Sequence, residues 1–301
     1  ESSRFLVDTV EHRVPCRLRG RIRKERRGQV RNVVVGDRVR IRLTGSAPEP
    51  ENEGVIEELL ERDNLISRAT PDGRRREQVL MANLERVFVV MASAGPVFNP
   101  RLLDRFLVAA EHRDLDPVIV LNKWDLPEAA AVEDLLPPYR TAGYRLLLTS
   151  AESGLGLEEL LTEMKDRVSL FLGPSGAGKS SLLGRIQPGL EIATRSISEA
   201  TGKGRHTTSY TELHDLSCGG WVADSPGVRE FSLWGVEERD LDRCFPEFHD
   251  HLGACRYPDC SHSHEPRCGL REALEAEKID RGRYESYLRI LETVREGKTE
   301  F

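Results

Sequence analysis

One stretch limits the fold more than any other: Gly173-Pro174-Ser175-Gly176-Ala177-Gly178-Lys179-Ser180-Ser181. The apolar run Val168 to Leu172 before it reads as a buried strand, and Leu182-Leu183-Gly184-Arg185-Ile186 after it reads as the opening of a helix. Strand, G-x-x-x-x-G-K-S, helix is the pattern of a phosphate-binding loop. Glycines let the backbone curl until successive N–H groups converge on one centre, and the helix adds the positive end of its dipole. Lys179 is expected to reach the β- and γ-phosphates, and the Ser180 hydroxyl to ligate Mg²⁺.

A second signal says which nucleotide. Pro117-Val118-Ile119-Val120-Leu121 reads as a buried strand that delivers Asn122-Lys123-Trp124-Asp125 at its C-terminal end, where open α/β sheets bind ligands. The Asp125 carboxylate can accept from the N1–H and 2-amino group of guanine, a pair that adenine lacks, so an ATPase is disfavoured. Asn122 is expected to tie loops together, the Lys123 stem to cover the base, and Ser150-Ala151 to bring a backbone N–H near the guanine O6.

The other elements follow from periodicity. Val87 to Met91 reads as a strand and Arg101 to His112 as a helix with Leu102, Leu103, Phe106, Leu107 and Ala110 inward. A helix over Ala129 to Ala142 is interrupted at Pro137-Pro138, Tyr144 to Leu148 is a strand, and Gly156 to Arg167 a helix. After the phosphate loop, Gly204-Arg205-His206-Thr207-Thr208 lies in a polar stretch and is a candidate switch, with Thr208 preferred over Thr207 to complete the Mg²⁺ shell. Trp221-Val222-Ala223 then leads to Asp224-Ser225-Pro226-Gly227. There Asp224 can serve the metal's outer shell and the Gly227 N–H the γ-phosphate. The base-reading motifs precede the phosphate loop, the reverse of ordinary small GTPases. A doubly wound sheet can be cut in one loop and rejoined in another without losing its packing, so the domain reads as circularly permuted.

Residues 1 to about 80 read as all-β. Strands are expected over Arg17–Arg23, Val33–Val35, Arg38–Leu43 and Gly54–Leu60, and Thr70–Arg76 is a basic loop. Twelve Lys/Arg fall between His12 and Arg42, opposed there only by Glu25 and Asp37, although the whole chain carries −6. That asymmetry points to a polyanion partner. Phe5 is the only aromatic residue before Phe88, so contact through phosphates and shape is expected rather than base stacking. No apolar run reaches membrane-spanning length, and a cytoplasmic protein without a membrane partner is expected.

Near the C-terminus, Cys255, Cys260, His262 and Cys268 have the chemistry of a closed tetrahedral Zn²⁺ site, with His264 competing for the imidazole place. Cys16, Cys218 and Cys244 stand apart as small buried hydrophobes. Leu270 to Leu291 reads as helices.

In this order, the motifs resemble the RsgA (YjeQ/EngC) family of circularly permuted, ribosome small-subunit-dependent GTPases, over nearly the whole chain. The resemblance implies an α/β fold: a circularly permuted P-loop GTPase domain with an N-terminal OB-type β-barrel and a C-terminal zinc-binding helical domain. On that reading the barrel takes residues 1–80, the GTPase domain 84–235 and the zinc domain 236–301. It further implies GTP and GDP as ligands, one structural Zn²⁺, and a role in late maturation of the 30S subunit, with its 16S rRNA as partner and hydrolysis stimulated by the particle. Nothing in the sequence demands more than a monomer. Val228 follows Gly227, where many GTPases carry a water-orienting Gln. The resemblance gives that role to His206, which otherwise packs or contacts RNA. The alternative function is a GTP-gated RNA-binding module in which hydrolysis is incidental.

Overall fold

A computed structural model describes residues 4–9, 11–19, 33–44, 53–69, 77–189, 212–224, 233 and 235–297. The N-terminal region contains β1 (Arg4–Asp8), β2 (Arg13–Leu18), β3 (Val39–Leu43) and β4 (Gly54–Leu59), in the order β1-β2-β4-β3. Val14, Cys16 and Ile56 are its buried centre. A hairpin, β5 (Leu65–Ala69) and β6 (Glu77–Ala82), follows. The basic Thr70–Arg76 stretch lies between these two strands and outside the described residues.

Two expectations change here. Val33–Val35 is not a strand; only Val35 makes a bridge, to Met81. Asp37 competes for this backbone: its carboxylate accepts from the Val34 N–H at 2.8 Å and its own N–H donates to the Val34 carbonyl, forming a side-chain-closed turn. The arginine face is also not bare. Strand pairing brings β4 beside β2 and β3, so Glu57 meets both Arg19 and Arg42, and Glu58 meets Arg40. Arg17 pairs with Glu53, Arg38 with Asp63, and Arg13 with Asp8 and Asp215. These exposed pairs add little stability, but they neutralise much of the strand charge. Arg21, Arg23, Lys24, Arg26, Arg27 and Arg31 lie outside the described residues.

The larger sheet contains β7 (Arg86–Ala92), β8 (Pro117–Asn122), β9 (Arg145–Leu148), β10 (Val168–Leu172), β11 (Glu212–Asp215) and β12 (Trp221–Asp224). Its order is β11-β12-β10-β7-β8-β9, with only β11 antiparallel to its neighbour. The near-continuous apolar runs of β7 and β8 suit parallel strands covered on both faces. The chain runs outward from β7 to β9, then returns to place β10 on the other side of β7. Its direction therefore reverses between β7 and β10, the kind of crevice that binds ligands in doubly wound sheets.

One face is covered by α1 (Pro100–Glu111), capped by the Asn99 side chain. The broken helix expected after β8 is two short ones, α2 (Ala129–Glu133) and α3 (Pro137–Thr141), with proline supplying the start of the second. α4 (Leu157–Met164) and α5 (Lys179–Ile186) pack together, and their buried leucines belong to the apolar cluster that includes Phe88 and Phe171. Beyond the sheet come two 3-10 segments, Glu238–Cys244 and Pro246–Ala254, then α6 (Gly269–Glu275) and α7 (Arg281–Arg295).

α1 is buried beyond the expected stripe: Asp104, Val108 and Ala109 are enclosed as well as Leu103, Phe106, Leu107 and Ala110. The cause is a second layer. The first 3-10 segment and α7 pack on it, so Phe245, Phe248, Tyr287 and Leu291 share one core with Val87, Leu107 and Ile119. Within that layer Arg283 is 2% exposed and donates to Asp104 at 2.6 Å and to Glu247 at 2.6 and 3.2 Å. Its guanidinium also lies over the rings of Phe245 and Tyr139.

Candidate functional site: a nucleotide cleft and a four-ligand metal cluster

Because β9, β8, β7, β10 and β12 run parallel, their C-terminal ends share one edge of the sheet. That edge carries Ser150-Ala151 after β9, Asn122–Asp125 after β8, Gly173–Ser181 after β10, and Asp224 as the last residue of β12. The two distant motifs are brought together by Asn122, which is 1% exposed. Its Nδ2 donates to the Ala177 carbonyl at 2.9 Å, and its Oδ1 accepts from the Ala151 N–H at 3.3 Å. One amide thus spans the phosphate loop, the base-reading loop and the Ser150-Ala151 loop. Of the two backbone N–H groups offered by Ser150-Ala151, that of Ala151 is engaged in this link and that of Ser150 donates to the Leu155 carbonyl at 3.0 Å.

The loop glycines are required by close approach. Gly178 has φ 88°, and a β-carbon there would lie 2.2 Å from Asn122 Nδ2. A β-carbon at Gly173, φ 138°, would lie 2.0 Å from the Val90 carbonyl oxygen. Gly178 in the left-handed region starts α5, placing the helix N-terminus at the loop. The Lys179 ammonium folds back on its own loop, donating to the Gly173 and Pro174 carbonyls at 2.7 and 2.8 Å. Ser175 and Gly176 are exposed, Ala177 is buried, and Pro174 and Ser180 are half-buried, while Ser181 faces outward.

Lys123 adopts φ 61°, and its ammonium donates to the Ala94 and Gly95 carbonyls rather than to the phosphate loop. The Trp124 N–H donates to the Thr149 carbonyl at 3.0 Å, and its ring is half-buried against the main core. Asp125 is left exposed. Ser150 is buried, with its hydroxyl accepting from the Ser153 N–H at 3.0 Å. His206, Thr208 and Gly227 lie outside the described residues, as does the side chain of Asp224.

At the far end of the chain, ligand atoms of Cys255, Cys260, His262 and Cys268 all lie within 4.8 Å of one another. His262 Nδ1 sits 3.5 Å from Cys255 Sγ and 3.4 Å from Cys268 Sγ. His264 is outside the cluster, exposed and paired with Ser263. The other imidazole nitrogen, Nε2, faces Asp242 Oδ2 at 3.2 Å, the outer-shell carboxylate that fixes a ligating histidine's tautomer. Burial, reinforced by the sulfurs of Cys268 and Cys255, pushes the Cys260 thiol up to about 12. A bound cation reverses that preference, because it stabilises thiolates outright. Tyr284 and Tyr287 of α7 donate to the His262 and Ser261 carbonyls, tying the ligand loop to the helix layer. The donor set fits a metal that favours sulfur and imidazole in tetrahedral array.

Sequence reasoning missed Ser93, Asp104, Asp242 and Arg283. Only Asp104 left a local trace, as an acid beside the apolar stripe of α1.

The strand order and the joined loops define a P-loop nucleotide-binding protein of permuted topology. Its class is that of the GTP hydrolases. The chain belongs to the RsgA GTPase family, whose profile matches residues 59–234. It is 45% identical over 280 residues to the small ribosomal subunit biogenesis GTPase RsgA of Gemmatimonas aurantiaca, covering 92% of this chain and 89% of the relative. It is 42% identical over 275 residues to the RsgA of Klebsiella pneumoniae, covering 89% and 77%. Among solved structures, YjeQ from Thermotoga maritima superposes with a TM-score of 0.78 at 34% identity, covering 96% of this chain and 93% of that one. The circularly permuted GTPase YloQ superposes with a TM-score of 0.73 at 26% identity, covering 100% and 94%. The chain is accordingly a GTP-hydrolysing enzyme, and its family implies a guanine nucleotide and Mg²⁺ as ligands. Among the described residues, no helix is long and apolar enough to cross a membrane.

Proposed function

We propose that this GTPase acts on the small ribosomal subunit late in its maturation, hydrolysing GTP to GDP and phosphate under stimulation by the 30S particle. The biogenesis role is the one the similar relatives' names carry. The nucleotide half rests chiefly on Asn122, which joins the phosphate loop to the base reader across 55 residues of sequence.

In this reading Gly173 to Ser181 hold the phosphates, with Lys179 placing its charge on them. Asp125 reads the guanine edge, while Asn122, Lys123, Trp124, Ser150 and Ala151 hold the base side of the cleft. Ser180 and Thr208 would bind Mg²⁺, with Asp224 in its outer shell; the ion neutralises charge developing on the phosphoryl group. The Gly227 N–H meets the γ-phosphate and His206 orients the attacking water, because Val228 cannot. Cys255, Cys260, His262 and Cys268 hold one structural Zn²⁺, a closed set with no open coordination place. Residues 1–80, 84–235 and 236–301 divide the work among RNA binding, GTP hydrolysis and zinc binding. The partner is 16S rRNA of the 30S subunit, met by a cytoplasmic monomer. With the strand arginines beside carboxylates, the charge for RNA comes from the basic residues between Arg21 and Arg31.

The test is GTP turnover with and without purified 30S subunits across a salt series. Acceleration by 30S that collapses as salt rises is expected, since phosphate contacts are salt-sensitive. Binding without acceleration would favour the GTP-gated module instead. His206→Ala should retain GTP affinity and lose most of the stimulated turnover.

A further inference from the structure

The loop after β7, Ser93 to Val97, belongs to none of the nucleotide-binding motifs, yet it touches two of them. Ser93 is 5% exposed. Its N–H donates to the Asn122 carbonyl at 3.0 Å, and its hydroxyl donates to the Lys123 carbonyl at 2.7 Å. The Lys123 ammonium returns across the same gap to the Ala94 carbonyl at 3.0 Å and to that of Gly95. The loop also abuts the phosphate side: a β-carbon added at Gly176 would lie 3.3 Å from Pro96 Cδ. Lys123 at φ 61° occupies a backbone region that few non-glycine residues adopt, so the turn carrying the base reader needs outside support. The Ser93 hydroxyl supplies it from within the core, on the carbonyl of the strained residue itself. Two positions later stands Asp125, whose carboxylate must meet the purine edge.

We propose that Ser93 is a positioning residue for guanine recognition, holding the Asn122–Asp125 turn so that Asp125 meets the base. It touches no substrate; it acts through the Lys123 carbonyl. The inference rests on the guanine-nucleotide reading of the cleft.

The experiment measures GDP and inosine diphosphate affinities for the full-length chain and its Ser93→Ala and Ser93→Thr variants. Inosine keeps N1–H and O6 but lacks the 2-amino group that Asp125 also reads, so the ratio of the two affinities reports where that carboxylate lies. Loss of one buried hydrogen bond should weaken GDP roughly 3- to 12-fold in Ser93→Ala. Inosine diphosphate should weaken by less than about 2-fold, since it has less to lose when Asp125 moves. Ser93→Thr keeps the donor and should restore the ratio. A merely structural role lowers both affinities together, and an unchanged ratio in Ser93→Ala overturns the proposal. If Ser93→Ala does not fold, Ser93→Cys, of similar size but a poor donor, is judged by the same ratio. Equal affinity of the parent protein for both nucleotides would instead remove the guanine reading of the cleft, and the proposal with it.

Discussion

Arg283 offers the sharpest test of how the C-terminal helices are joined to the GTPase sheet. Its side chain is 2% exposed, as is that of Asp104, while that of Glu247 is 10% exposed. Arg283→Met keeps most of the volume but removes three charge-assisted hydrogen bonds. Two carboxylates are then left facing an apolar side chain. Breaking a buried pair from one side destabilises by ~3–5 kcal/mol. The lower end applies here, because Asp104 keeps the Tyr139 hydroxyl at 2.8 Å and Glu247 reaches some solvent. A loss of about 3 kcal/mol, at roughly 2–4 °C per kcal/mol for domains of 150–250 residues, lowers Tm by roughly 6–12 °C. Thermal unfolding at fixed metal and nucleotide concentration reads this directly. Asp104→Asn with Arg283→Met should be less damaging than the sum of the single variants, since the two groups belong to one network. A Tm shift below about 2 °C, or strict additivity, would show that the ion network does not hold the layers together.

Three other outcomes follow from the geometry. Asp125→Asn should weaken guanine nucleotides and favour xanthine nucleotides, whose 2-oxo group accepts where guanine donates; competition binding measures the exchange. Asp242→Ala removes the partner of His262 Nε2 and should weaken zinc retention about 10- to 100-fold in a chelator competition at fixed pH. Burial pushes the Glu111 carboxyl up to about 7 from 4.5, so the folded protein keeps a proton that the unfolded chain releases. Stability should therefore fall as pH rises from about 4.5 to 7, and Glu111→Gln should flatten that slope in urea unfolding.

Several features were legible without coordinates because their chemistry is local. The phosphate loop, Asn122–Asp125 and the cysteine–histidine run each lie within one short continuous stretch of chain. Periodicity likewise placed most strands and helices of the GTPase region to within a few residues. The failures have two origins, one local and one set by strand pairing. Val33–Val35 looked like a strand, but a turn closed by Asp37 captured its backbone. The strand arginines looked unopposed because their acids, Glu53, Glu57, Glu58 and Asp63, come later in the chain.

The amino-acid order alone therefore determined the chemistry available to this protein: what can cradle phosphate, what can read guanine and what can hold a metal. Folding in three dimensions decided which of those groups support one another. Ser93 reaches Lys123 because β7 and β8 are neighbours, and Arg283 reaches Asp104 across 179 positions because a second layer covers α1. Local propensity depends on a residue's near neighbours in the chain, whereas such contacts depend on sheet order and on which apolar faces close together. No spacing rule encodes that closure.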